Sequence, residues 1–198
     1  SENKIKIFSD NYFPDTLNLE IDFSGEPLNL GFGSFWIEAK NNKNFVATLN
    51  EPIFASTWFP CNDKPNDKAM VQMSITNDSN IVSLSNGKLV DIIATDDRRT
   101  YTWKSEYPVA TYLISIYSGE YKTFSQQYVS ANHTMNIDYY VMEEKLADAN
   151  FDFENHPNYL KVFSELFGEY PFIKEKYGVA EILWQQGAME SQTITGIG

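Results

Sequence analysis

The sequence predicts a mainly β chain: an antiparallel β-sandwich or saddle domain, followed by the start of an α+β domain. Three observations predict it. Short segments of alternating apolar and polar residues recur from Ile5 to about Val141, the pattern of half-buried strands. Turn-forming pairs separate these segments at the spacing of an antiparallel all-β domain. Near Glu143 the texture changes to helix formers and then to a helical apolar period.

Taken in order, Leu17, Leu19, Ile21 and Phe23 alternate with polar residues and predict the first well-marked strand. Segments 35–39, 45–49, 70–75, 89–94, 100–103, 112–117 and 135–141 read the same way. Tyr112, Ile114 and Ile116 form one strand face in this reading. Turns are predicted at Ser24-Gly25, Asn41-Asn42, Asn86-Gly87, Asp96-Asp97 and Ser118-Gly119. From Glu143 to Asn150 β-branched residues are few, and the Glu143-Glu144 pair suits the first turn of a helix, where the dipole favours negative charge. Pro157 suits the first turn of a second helix. Tyr159, Leu160, Phe163, Leu166 and Phe167 then repeat at helical spacing, so Leu160, Phe163 and Phe167 are expected to bury one face. Gly168 and Pro171 end that helix, and 179–184 returns to a strand. The change of texture divides the chain into a β domain, 1–143, and an α+β segment, 144–198.

Composition narrows the function classes. Hydrophobic residues make up 42% and aromatics 15% of the 198 residues, enough for a packed core and unlike a disordered chain. A formal net charge of -12 repels phosphate backbones, so nucleic acid is not an expected partner. The same field mildly attracts cations such as a peptide's amino terminus. Cys61 is the only cysteine, so no internal disulfide is possible and the thiol reads as a small buried apolar group. No apolar run reaches the ~20 residues of a membrane span. Asn77-Asp78-Ser79 and Asn132-His133-Thr134 are sequons of a kind that arises easily by chance. Compartment and oligomeric state are not legible.

Four stretches carry a resemblance. Trp58-Phe59-Pro60-Cys61-Asn62-Asp63-Lys64-Pro65, continuing to Asp67-Lys68-Ala69, is similar to a WFPC-x-D-x-P-x-x-K-A element. Tyr107-Pro108-Val109-Ala110-Thr111-Tyr112-Leu113 is similar to a P-[VM]-[AS]-T-Y-L strand, and Phe167-Gly168-Glu169-Tyr170-Pro171-Phe172 to an FG-x-YPF helix end. Gly187-Ala188-Met189-Glu190-Ser191 is one residue from GAMEN. In this order and spacing they resemble the M1 (gluzincin) zinc aminopeptidases, and the resemblance covers most of the chain.

That resemblance implies a fold and a division of labour. The β domain would lead into the beginning of a thermolysin-like catalytic domain. The family's zinc motif, HExxH with a more distant Glu, lies downstream of GAMEN, whereas this chain stops at Gly198 and its histidines, His133 and His156, have no histidine partner at i+4. Zinc would therefore belong to the parent enzyme, with no metal ligand and no catalytic residue in this chain. The expected contribution is substrate binding. Glu190 matches the family's main carboxylate for the substrate amine, a charge-assisted partner. Gly187, Ala188 and Met189 would lie along the peptide, with backbone at Gly187 and Ala188 acting as a partly free sheet edge. A second carboxylate of the family lies nine residues before the Pro of the Pro-Cys pair, and counting back from Pro60 reaches Glu51. The resemblance also implies a cis bond at Glu51-Pro52.

Each residue has an ordinary reading too. Glu51 could be a solvated loop residue, and Glu190 an exposed Glu beyond a Gly-Ala turn. Ser191 stands where the family has Asn. The implied parent is a zinc-dependent aminopeptidase whose partner is a peptide with a free amino terminus, and the 198-residue piece alone is expected to be inactive. A non-catalytic scaffold or binding module of the same fold is the alternative. A carbohydrate-binding sandwich is a third reading, suggested only by aromatic richness.

Overall fold

A computed structural model describes residues 4–8, 15–31, 33–184 and 187–198. Antiparallel strands dominate it, with two helices inserted late in the chain. Strands β1 (Ser34–Lys40) and β2 (Lys43–Leu49) form a hairpin closed by Asn41 and Asn42, at φ 53° and 61°. Two left-handed residues in a two-residue loop match the right-handed twist of the strands, which is why an Asn pair sits there.

The remaining strands are β3 (Lys68–Ala69), β4 (Gln72–Asp78), β5 (Val82–Ser85), β6 (Lys88–Ala94), β7 (Arg98–Lys104), β8 (Val109–Ala110), β9 (Ile116–Gly119), β10 (Lys122–Val129), β11 (Thr134–Val141), β12 (Lys176–Glu181), β13 (Ala188–Ser191) and β14 (Ile194–Ile197). They build a four-stranded sheet β1-β2-β9-β5, a three-stranded sheet β4-β7-β6, the small pair β3-β8, and a mixed sheet β10-β11-β12-β14-β13. In the mixed sheet β11, β12 and β14 run parallel, flanked by antiparallel β10 and β13. A parallel step needs a crossover. Helices α1 (Leu146–Asp152) and α2 (His156–Phe167) supply it between β11 and β12. One sheet thus runs through position 143.

Two apolar clusters hold these layers. Phe45, Leu84, Trp103, Tyr117, Tyr121, Met142, Ile182 and Ile194 pack together in the first. Tyr128, Met135, Ile137, Tyr139 and Val179 form the second cluster, with Phe153, Leu160, Tyr170 and Tyr177 against it.

Several expectations need correction. Residues 17–23 form no strand, and Leu17, Leu19, Ile21 and Phe23 are exposed: alternation makes a strand only where a neighbouring strand takes up its backbone groups. The segment 112–117 is not one strand. Thr111–Leu113 is a single 3-10 turn, and β9 begins at Ile116. The cause is Asn86, whose side chain binds the Leu113 carbonyl and the Ser115 amide and so takes both out of any ladder. Ser118-Gly119 ends β9 as strand, and the bend falls at Glu120. On α2, Leu160 packs inward but Phe163 and Phe167 do not: they stack on each other at 5.8 Å and stay exposed, Phe167 at 78%. The partly buried line of that helix runs His156, Leu160, Ser164, leaving Phe163 to one side and Phe167 in the terminal turn.

Candidate functional site

The GAMEN-like stretch falls on β13, the edge of the mixed sheet. Gln185 and Gln186, just before it, lie outside the described residues. Among the described residues β13 pairs only with β14, in the register Ala188↔Ile197, Met189↔Gly196, Glu190↔Thr195, Ser191↔Ile194. The Gly198 amide donates to the Gly187 carbonyl at 3.1 Å, which fixes the phase of the ladder. Met189 therefore exchanges its bonds with Gly196. Ala188 and Glu190 occupy the alternate positions, whose N–H and C=O point away from β14 toward the open edge. The Gly187 carbonyl is engaged inside the hairpin.

Side chains alternate as strand geometry requires. Met189 and Ser191 are buried, the Ser191 hydroxyl 3.4 Å from that of Tyr117. Glu190 is exposed. It lines a cleft of about 280 Å³ together with Leu113, Tyr170, Phe172, Tyr177, Gln192 and Thr195. The field of Glu190 is felt by its neighbours. Tyr177 is pushed up chiefly by burial and further by Glu190, and Tyr117 is raised to about 12 chiefly by burial, with Glu190 again adding. An exposed carboxylate between an open strand edge and a tyrosine wall can receive a cation and present main-chain donors and acceptors beside it.

Glu51 is the second carboxylate that the motif count singles out. It follows Asn50 at the end of β2. The Asn50 side chain donates to the Ile114 carbonyl and accepts from Trp58 Nε1 at 2.9 Å. That anchor, with the Phe35–Trp58 and Trp58–Phe59 ring contacts, ties the Trp58-Phe59-Pro60-Cys61 element to the strand end. The Glu51-Pro52 bond is cis, as the resemblance implies. Glu51 is exposed and is not among the residues lining the Glu190 cleft. Cys61 is half-buried, and its thiol is raised to about 11, mainly by burial and secondarily by Asp63, so it is a poor nucleophile.

The sequence reading passed over a buried polar group behind the hairpin. Asn86 Nδ2 donates to the Gln192 carbonyl at 2.6 Å and the Leu113 carbonyl at 2.8 Å, while its Oδ1 accepts the Ser115 amide at 2.9 Å. The Gly87 amide donates to Thr193 Oγ1 at 2.9 Å. Lys176, 3% exposed, donates to the carbonyls of Ser85 and Gly87 and lies 4.5 Å from the centre of the Trp103 ring. Asn86-Gly87 carried a turn signal, but nothing local marks the partners of that turn. A larger hollow, about 610 Å³, lies between β6–β7 and β10–β11. It contains none of the four motif stretches.

Among the described residues no three His, Cys, Asp or Glu side chains are grouped to hold a metal ion. His156 Nδ1 is 3.0 Å from the Tyr139 hydroxyl, and burial lowers its pKa. No helix among the described residues is long and apolar enough to cross a membrane.

Known proteins share sequence and fold with this chain. The sequence matches the Peptidase M1 N-terminal domain over residues 1–113. It is 40% identical over 73 residues to human glutamyl aminopeptidase, covering 36% of this chain and 8% of that protein. It is 27% identical over 169 residues to leucine aminopeptidase 2 of Saccharomyces cerevisiae, covering 81% of this chain and 23% of that protein. An M1 zinc metallopeptidase from Deinococcus radiodurans, solved as a mutant, superposes with a TM-score of 0.74 at 22% identity, over 87% of this chain and 40% of that one. The aminopeptidase A of Legionella pneumophila, in complex with aspartic acid, superposes at 0.72 with 19% identity, over 82% of this chain and 19% of that one. The chain thus spans less than a quarter of these curated relatives.

Proposed function

Because this chain belongs to the peptidase M1 family through its N-terminal domain, we propose that it is the part of a zinc-dependent aminopeptidase that receives the amino end of a peptide substrate. The observation that carries this is the exposed Glu190 carboxylate on an edge strand whose neighbouring N–H and C=O groups point outward. A peptide laid along β13 would continue the sheet by main-chain hydrogen bonds. Its protonated amine would meet Glu190, and Ala188 would leave room for close approach. Met189, buried under the strand, would hold the hairpin down. Glu51 is proposed as the second amine carboxylate, on the motif count alone. Residues 1–143 would be the amino-terminal β domain and 144–198 the start of the catalytic domain.

The named aminopeptidase relatives support hydrolysis of the first peptide bond. A Deinococcus radiodurans neighbour bound to the substrate Tyr-Ser-Ala supports a peptide ligand. In such enzymes zinc supplies an activated water and polarises the carbonyl. Among the described residues no group of side chains fits a zinc site, so its ligands are proposed to lie elsewhere in the protein. This chain contributes binding and registration.

The test compares this 198-residue chain with the full-length protein on an aminoacyl chromogenic substrate, with zinc supplied. The full-length protein is expected to cleave and to lose activity to a chelator, and the short chain to show only background. Robust zinc-dependent cleavage by the short chain overturns the division of labour. A full-length protein that binds peptides without cleaving them overturns the enzyme reading in favour of the scaffold reading.

A further inference from the structure

The turn between β13 and β14 is held in a conformation it would not choose. Its residues are Gln192 and Thr193, both buried, and Thr193 sits at φ 66°. A β-branched residue in the left-handed region is strained and persists only where its surroundings over-determine it. Here they do. The Thr193 hydroxyl accepts the Gly87 amide at 2.9 Å, its carbonyl accepts the Gly178 amide at 3.0 Å, and the preceding Gln192 carbonyl accepts from Asn86 at 2.6 Å.

The clamp on the other side is equally determined. Asn86 is 2% exposed, and both its donors and its acceptor are bonded. Gly87 lies at φ 82°, and a Cβ there would fall 2.2 Å from the Lys104 carbonyl oxygen. Lys176 grips the same turn through the Ser85 and Gly87 carbonyls. Strand β13 has no second neighbour among the described strands; besides its packing against the 111–113 turn and Tyr117, its position depends on β14 and on this turn.

We infer that Asn86 and Thr193 are positioning residues for substrate-amine recognition: the 86–87 turn of the β domain clamps the 192–193 turn and thereby fixes where the open edge carries Glu190. The inference rests on the reading of Glu190 as the amine-binding carboxylate. Neither residue is a catalytic residue. Displacing the hairpin would shift Glu190 against the amine without altering the chemistry of the Glu190 side chain.

The decisive variant is Thr193→Gly in the full-length protein. Glycine is relaxed at this φ, so backbone strain falls while the hydroxyl anchor is lost. The melting temperature is expected to stay near that of the unmodified protein, while kcat/KM on an aminoacyl substrate falls about tenfold and competitive inhibition by a free amino acid weakens by a similar factor. Thr193→Ser, which keeps the hydroxyl, is expected to recover most of the loss. A purely structural role would predict unchanged kinetics in a T193G protein of unchanged or higher stability, and that result overturns the inference. Glu190→Gln is run in parallel. If it is impaired while T193G is not, the positioning role alone fails; if it is unimpaired, the reading of Glu190 fails and takes this inference with it. Amide hydrogen exchange on the 198-residue chain is independent of how any variant folds. The Gly87 amide should be as protected as the β13–β14 ladder amides, and exchange at the rate of an open loop overturns the clamp.

Discussion

Lys176 is a cation removed from water, and its pKa is lowered to about 7, first by burial, against smaller opposing effects from Asp138 and Glu175. The native state gives up this proton before the unfolded chain does. Between about pH 7 and the usual lysine range the unfolded state binds more protons, so stability rises with pH; below 7 both states are protonated and the benefit is gone. Urea denaturation is expected to show stability climbing from pH 7 to 9, by at most about 1.4 kcal/mol per unit, and Lys176→Met should flatten that slope. The window stops at 9 because Cys61, raised to about 11, opposes the trend beyond it. A slope unchanged in K176M would show that Lys176 is not the group responsible. Gly87 gives a second prediction at this scale. Its φ of 82° and the 2.2 Å approach to Lys104 leave no room for a methyl, so Gly87→Ala should destabilise by more than about 2 kcal/mol in the same assay.

Among the elements, α2 separates pattern from packing. Leu160 lies against the core cluster built on Tyr139 and Val179, whereas Phe167 is exposed in the final turn. Leu160→Ala should therefore cost about 1–2 kcal/mol, and Phe167→Ala should fall within about 0.5 kcal/mol of the parent chain; equal losses would restore the simple amphipathic reading. Strands β1, β2, β4, β6, β7 and β11 were legible because their alternation and turns are local. Strand β5 was missed because Val82–Ser85 is short and largely serine, its burial supplied by β9 rather than by its own pattern. The break before β9 was hidden for a similar reason. Asn86 reaches Leu113 from 27 residues away and Gln192 from 106, separations at which a single sequence carries no signal. The candidate site was half legible. The GAMEN-like stretch identified Glu190, but only the strand order shows β13 to be an edge, and only the ladder phase shows which backbone groups face outward.

For the molecule as a whole, the 86–87 turn and the mixed sheet meet at the clamp behind β13. The acidic surface, with net charge -12, suits a cationic ligand end in a general way, but specificity for an amine needs a principal carboxylate in a fixed place. The central claim is that Glu190 on the open edge is that carboxylate. Its most direct test is the discrimination between a free amino acid and its N-acetyl derivative as competitive inhibitors of the full-length protein, with and without Glu190→Gln. A charge-assisted bond of about 1.5–3 kcal/mol corresponds to a preference of roughly tenfold to a hundredfold for the free amine. The account predicts that preference in the unmodified protein and its near-complete loss in E190Q. Full retention of the preference in a folded E190Q protein would contradict it.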